Sequence, residues 1–443
     1  MSGGRLPRDE ALAVWAAAVR AAEPAALVGA ALAAPDLAAA LHGAGRILVV
    51  GAGKAGAGMA AGLEAALADR LDRVGGLVNV PAGTDRPLQR IRLHPARPPG
   101  VNEPTAAGVA GADEMLRLLQ TAGPDDVAVC LLSGGGSALL PAPAAGLTLP
   151  DKVAVTKLLH RCGATIDEMN CVRKHLSRVK GGRLAAAFRG KVLVTLTISD
   201  VVGDPPDVIA SGPTAPDPTT FADALAVVGR YALRDRVAPA VLDVLTRGAA
   251  GAIPETPKHV APTVLNRVVG SNRRSLDAAA AAATAFGYRV LDLGAFVEGE
   301  TAQVATAVAG VVRSVRRDAR PFAPPACLLV GGETTVTLGD QPGRGGRNQE
   351  FALAVFAKLS ATPEGMTGVT VLSAGTDGED GPTDAAGAVA DADTLARAAA
   401  LGLSPDDHLR RHDAYPFFDA TGGLIRGGLT GTNVMDVRVF LVR

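Results

Sequence analysis

Five short apolar runs, each ending in a cluster of glycine or acidic residues, constrain this chain more than any other feature. They are Ile47 to Lys54 (ILVVGAGK), Val127 to Ser137 (VAVCLLSGGGS), Val192 to Asp200 (VLVTLTISD), Cys327 to Glu333 (CLLVGGE) and Val369 to Gly378 (VTVLSAGTDG). A short apolar run bounded by turn formers reads as a strand buried on both faces of a parallel sheet. Open α/β sheets bind their ligands outside the carboxyl ends of such strands. The polar residues that follow each run are therefore expected to line one or two clefts. Glycine backbone, one lysine and several carboxylates suit a phosphorylated ligand held with a divalent metal.

The segments between the runs carry apolar residues at helical spacing, so strands and helices alternate, as in βαβ units. At 443 residues the chain is too long for one ordinary core, and two domains are expected. The Pro-containing stretch 253–262 marks the boundary, giving an N-terminal domain 1–255 and a C-terminal domain 256–443. The expected fold class is α/β in both, with a Rossmann-like parallel sheet in the first. Residues 9–42 read as one or two helices, 95–104 as a Pro-rich loop, and Thr334 to Leu338 as a hairpin strand.

Several function classes are excluded. Lys plus Arg equals Asp plus Glu, at 44 each, and no basic run carries interleaved aromatics, so no nucleic acid is expected. The longest uncharged stretch, Val127 to Pro150, is broken by glycines and prolines, so no membrane span is expected. The start lacks the apolar core of a signal peptide, which makes the cytoplasm the expected compartment. Seven scattered histidines and four cysteines without a CxxC pair give no zinc site.

Gly51-Ala-Gly53-Lys54-Ala-Gly56 fits GxGxxG between a strand and a helix. The dinucleotide fingerprint also requires an acid at the end of the second strand. That strand ends at Val80-Pro81, and Asp69 and Asp72 precede it. The turn still offers N–H groups and adds Lys54, a point positive charge suited to an anion. No Walker A motif is present, because Leu48 stands where its first glycine would be. Ser133, Gly134, Gly135, Gly136 and Ser137 can wrap an anion with successive N–H groups. Arg347, in a Gly-rich segment just before a predicted helix, adds a guanidinium fork to an anion-friendly end. Asp200, Asp204, Glu333, Asp377 and Asp380 follow strand ends, and Asp200 and Asp377 are the first choices for Mg²⁺. Lys180 and Arg183 flank a glycine pair in a basic segment and could hold an anionic ligand. His94 lies before Pro95, a position that suits a cleft.

These residues resemble the class II glycerate 2-kinase family, built from a glycerate kinase domain and a C-terminal MOFRL domain. The likeness covers Gly51 to Gly56, Ser133 to Ser137, Asn170 to Leu184 (NCVRKHLSRVKGGRL), Thr197 to Thr214 (TISDVVGDPPDVIASGPT), Gly331 to Glu350, Leu372 to Gly381 (LSAGTDGEDG) and Gly431 to Asn433. The resemblance implies ATP-dependent phosphorylation of D-glycerate at its 2-hydroxyl with Mg²⁺. It implies an active site in the cleft between the domains and a MOFRL region over about 325–440. Lys54 and Arg347 match the family's functional lysine and arginine and would neutralise the transferring phosphoryl group. Gly51, Gly53 and the 133–137 turn would cradle nucleotide phosphates, and Lys180, Arg183 and His94 would bind substrate. The family's GHPxPD loop reads Leu93-His94-Pro95-Ala96-Arg97-Pro98-Pro99 here, which departs from the pattern. Relatives are often labelled hydroxypyruvate reductases, so an NAD(P)-dependent reductase is the rival reading. D-glycerate and ATP are the expected partners, and self-association is left open.

Overall fold

Strand formation follows the apolar runs closely. The computed structural model describes residues 6–98, 101 and 103–443. Part of the expected 95–104 loop (residues 99, 100 and 102) and residues 1–5 lie outside that set. The chain divides into two compact units, 24–269, and 270–443 together with the residues up to 23.

The first unit contains β1 (Ile47–Ala52), β2 (Val74–Pro81), β3 (Ile91–Arg97), β4 (Val127–Leu132), β5 (Val192–Ile198) and β6 (Val264–Gly270). Their spatial order is β3-β2-β1-β4-β5-β6. This is the doubly wound order, with helices on both faces, and its direction reverses between β1 and β4. Every residue of β1 and β4 is buried, as runs without polar alternation require. Ala52 pairs with Leu132, so the two glycine turns leave the sheet side by side.

The structure departs from the sequence expectation in three places here. Residues 91–97 form a strand, where a loop was expected from 95. Pro95 is tolerated because β3 is the edge strand and needs no ladder donor on its outer side. Residues 9–42 form three helices, Pro7–Arg20, Pro24–Leu32 and Pro35–His42, each opened by a proline whose missing N–H costs nothing in a first turn. The boundary also differs from 255. β6 lies beside β5 in the first sheet, which carries 256–269 into the first unit. The helix Pro7–Arg20 joins the second unit. Its face of Ala11, Val14 and Ala18 packs with Leu276, Ala279 and Ala283.

The second unit is built on a mixed sheet. Its strands are β7 (Arg289–Asp292), β8 (Val297–Glu300), β9 (Ala326–Thr335), β10 (Val369–Gly375), β11 (Gly387–Ala390), β12 (Leu424–Ile425) and β13 (Asp436–Val442). The order is β12-β11-β10-β13-β9-β7, with β8 also paired to β9. β13 runs antiparallel to both β10 and β9. The expected hairpin at 334–338 is absent, because β9 runs straight on to Thr335 and pairs in parallel with β8. Phe351, Phe356, Phe417, Phe418 and Phe440 fill one face of this sheet and are fully buried.

Candidate functional site

At the reversal between β1 and β4 the two glycine turns are stitched together. Lys54 donates its backbone N–H to Gly134 O at 2.8 Å, and Ala55 donates its own to Ser133 Oγ at 3.0 Å. Gly53 has φ +153°, and a Cβ there would lie 2.0 Å from Ser133 Oγ. In dinucleotide sites the second glycine admits a pyrophosphate. Here Ser133 fills that space, so Gly53 and Ser133 serve the turn rather than a phosphate. Gly51 likewise lies against Leu131 O of the neighbouring strand. Gly136 donates its N–H to Ser133 O, which closes the second turn on itself. The exposed rim is formed by Lys54, Gly135 and Ser137, each half-buried.

Arg97, at the carboxyl end of β3, reaches the same rim. A Cβ on Gly135 would stand 3.4 Å from both Arg97 Nη2 and Lys54 Cγ. The sequence reading passed over Arg97. Its only signal was a basic residue at the end of an apolar segment that Pro95 disguised as loop. His94, expected at the cleft, bonds instead through Nε2 to the carbonyl of Ala107 at 2.9 Å. A strand alternates its faces, and His94 is turned under the first turn of the helix Ala106–Gln120.

Ser137 anchors a buried polar network. Lys180 Nζ donates to Ser137 Oγ (3.0 Å), Ser137 O (3.2 Å) and Ala210 O (3.0 Å). Ser211 Oγ lies 3.2 Å from Ser137 Oγ and 3.0 Å from Asn170 Oδ1. Three successive residues supporting this network, Ala210, Ser211 and Gly212, have left-handed φ of 52°, 61° and 60°. Such strain costs roughly 1–3 kcal/mol per non-glycine residue and concentrates at functional sites. Burial, with Lys152 and Arg173 nearby, pushes the Lys180 pKa well below the ordinary lysine value. Lys180 positions the turn through these three contacts. Arg183 is not brought to this place. It donates to Lys174 O and Ser177 O and lies over the Phe221 ring at 5.8 Å. It lines a separate cavity with His175 and Glu255.

In the second unit Arg347 opens the helix Arg347–Ser360. Its Nε and Nη2 donate to the two oxygens of Asp436 at 2.8 and 2.9 Å, and Nη2 lies 3.1 Å from Glu333. Burial opposes its charge, but Asp436 outweighs burial and holds the guanidinium firmly protonated. The anion-friendly helix end expected beside it is already filled. Asn348 and Gln349 donate their N–H groups to Asp380 at 3.0 and 2.9 Å. Burial pushes the Asp380 carboxyl up to about 7 despite those donors.

The metal candidates belong to different units. Asp377 Oδ1 accepts the N–H of Glu379 at 3.2 Å, as a turn-forming aspartate does. Asp200 follows β5 half-buried, and Asp204 lies four residues on with φ +55°. Asp204 Oδ1 is buried and has no hydrogen-bond partner among the described residues, and burial raises its pKa. No group of three or more His, Cys, Asp or Glu among the described residues could hold a metal by itself. No single helix among them is long and apolar enough to cross a membrane.

Two family matches cover most of the chain. The family described as "Domain of unknown function (DUF4147)" matches residues 10–246, and the MOFRL family matches 326–436. Among similar proteins, a "Putative hydroxypyruvate reductase" of Agrobacterium vitis is 46% identical over 90% of this chain and 100% of its own length. A "Glycerate 2-kinase" of Pyrococcus horikoshii is 38% identical over 90% of this chain and 88% of its own. The crystal structure of a glycerate kinase from Thermotoga maritima superposes with a TM-score of 0.86 and 32% identity, covering 98% of this chain and 99% of that one.

Proposed function

We propose, from the premise that the chain belongs to the glycerate kinase family in its DUF4147–MOFRL form, that it transfers the terminal phosphoryl group of ATP to the 2-hydroxyl of D-glycerate. The observation that carries this reading is the rim at the β1/β4 reversal, where Lys54, Arg97 and the Gly135 turn meet. A doubly wound sheet binds its ligand at that point, and two cations there suit a phosphorylated one.

Phosphoryl transfer through a loose transition state needs positioning and charge neutralisation more than covalent help. Lys54 neutralises charge on the transferring group, and Arg97 adds a second cation at the same rim. Lys180 fixes Ser137 and the loop at Ala210, which keeps the turn in place as charge moves. In the second unit Arg347 is held as a cation by Asp436 and Glu333, which suits it to an anionic ligand. Asp200 and Asp204 fit Mg²⁺, which takes one or two carboxylates and completes its shell with phosphate oxygens and water. When bound, such an ion would neutralise phosphate charge.

The reductase name carried by some relatives finds less support. The position at the end of β2 that would hold a ribose is filled by Asn79-Val80-Pro81, without an acid. Asn79 is fully buried and donates to Gly108 O and Leu139 O. The test is turnover of ATP with D-glycerate, read by coupling to enolase, which accepts 2-phosphoglycerate directly. Coupling without a mutase supports the 2-hydroxyl. A requirement for phosphoglycerate mutase would move the product to the 3-hydroxyl. NADH oxidation by hydroxypyruvate without ATP turnover would overturn the kinase reading.

A further inference from the structure

Ser137, part of the rim, also lines a cavity of about 720 Å³. Ser137, Lys152, Arg173 and Lys180 line it, with Ile166 and Met169 on an apolar wall. Lys152 is only 8% exposed, and its Nζ has no hydrogen-bond partner among the described residues. Arg173 is half-buried and enters no ion pair among them. The one carboxylate in the wall, Glu103, pairs with Lys157 at 2.7 Å. Buried cations are ordinarily paired, because an isolated charge out of water costs several kcal/mol. Here Lys152 and Arg173 face a cavity, Lys180 stands beside them on Ser137, Arg161 adds to the wall, and the carboxylate of the lining is already taken by Lys157. Burial and the nearby Arg173 push the Lys152 amine down to about 7, a shift that an anionic ligand would oppose.

We infer that this cavity holds the polyphosphate chain of the nucleotide, with Lys152 and Arg173 as its ligands. The inference rests on the kinase reading and deepens it. D-glycerate carries one carboxylate and few atoms, and one anion would leave most of this positive charge unanswered. A nucleoside triphosphate brings roughly four negative charges and a bulk that suits pockets of roughly 300–1,000 Å³. The chain lacks a Walker A loop, so basic side chains must do what that loop's backbone does elsewhere. The apolar wall at Ile166 and Met169 offers a surface to the base.

Isothermal titration of the intact protein with inorganic tripolyphosphate and, separately, with ATP tests this. Both are expected to bind the wild type. Lys152→Met and Arg173→Met should each weaken both by about tenfold or more, the scale of a lost charge-assisted contact. The KM for D-glycerate, at saturating ATP, should stay within about twofold. Lys152→Met removes an unpaired buried amine, so its melting temperature should equal or exceed that of the wild type. If it fails to fold, Arg173→Met carries the test. Unchanged ATP affinity in the variants, no tripolyphosphate binding by the wild type, or a rise in the glycerate KM alone would each overturn the inference. A wild type that binds ATP through these residues but does not phosphorylate glycerate would instead sink the kinase reading and leave this site standing.

Discussion

Lys54 is fixed through its backbone, since its N–H goes to Gly134 O. Truncating its side chain should therefore leave the turn intact. Lys54→Ala is expected to lower kcat by about 100- to 1,000-fold, the range of a lost electrostatic contact to developing charge. Turnover rates and circular dichroism of the purified variant check this, and near-normal turnover would remove Lys54 from the reaction. A different residue governs pH. The folded pKa of Asp380, about 7, stands above its ordinary 3.8. The folded state thus holds this proton more tightly than the unfolded one. The site favours folding most below about pH 4, loses that advantage as pH rises to about 7, and changes little beyond. Asp380→Asn cannot lose a proton. Its melting temperature should gain on the wild type between pH 4 and 7, by on the order of 5 °C. Parallel melting curves across that range would show that Asp380 ionises normally.

At the scale of elements, the two glycine turns act as one joint. Gly53→Ala would force a Cβ to 2.0 Å from Ser133 Oγ and 2.8 Å from its backbone. The expected loss of stability is about 2–3 kcal/mol, by urea titration. Ser133→Ala removes one hydrogen bond, to Ala55 N, and should cost about 1 kcal/mol while turnover persists. A collapse of turnover in a folded Ser133→Ala would return Ser133 to the phosphate-binding set. These contrasts show what the sequence could and could not reveal. Unbroken apolar runs exposed β1, β4, β5, β9 and β10 directly, because a strand buried on both faces leaves no polar alternation. β3 was hidden because Pro95 reads as a breaker, and only the strand order reveals an edge where proline is harmless. Lys54 was legible, since a charge in a glycine turn is locally conspicuous. Lys152, Arg173 and Arg97 were not, because their significance lies in which neighbours they lack or meet across long sequence separations. Asp380 was legible as a strand-end acid, but its capture of the helix end beside Arg347 depended on the folded path of residues 375–381.

For the whole molecule, the two units divide the chain differently from a single cut. A fragment spanning 24–269 keeps all but the final residue of β6, whereas one ending at 255 loses that strand altogether. The longer fragment should fold cooperatively, and the shorter one should melt earlier and less sharply, by calorimetry. A fragment of 270–443 leaves Leu276, Ala279 and Ala283 without the helix Pro7–Arg20. Adding a peptide of residues 6–23 should raise its melting temperature, and no rise would mean that this helix is dispensable. The same arrangement has a consequence for synthesis. Tyr288 and Arg443 both bond to Glu10. The helix Pro7–Arg20 therefore cannot complete these contacts until Arg443 is made, 433 residues after Glu10. At roughly 5–20 residues per second that interval is roughly 20–90 s. The apolar stripe of Ala11, Val14 and Ala18 has no partner until Leu276, Ala279 and Ala283 emerge, by which time the 24–269 unit can complete itself. The nascent chain must therefore carry this helix exposed while the whole of the 24–269 unit is made. That makes this helix the natural place for a chaperone to hold.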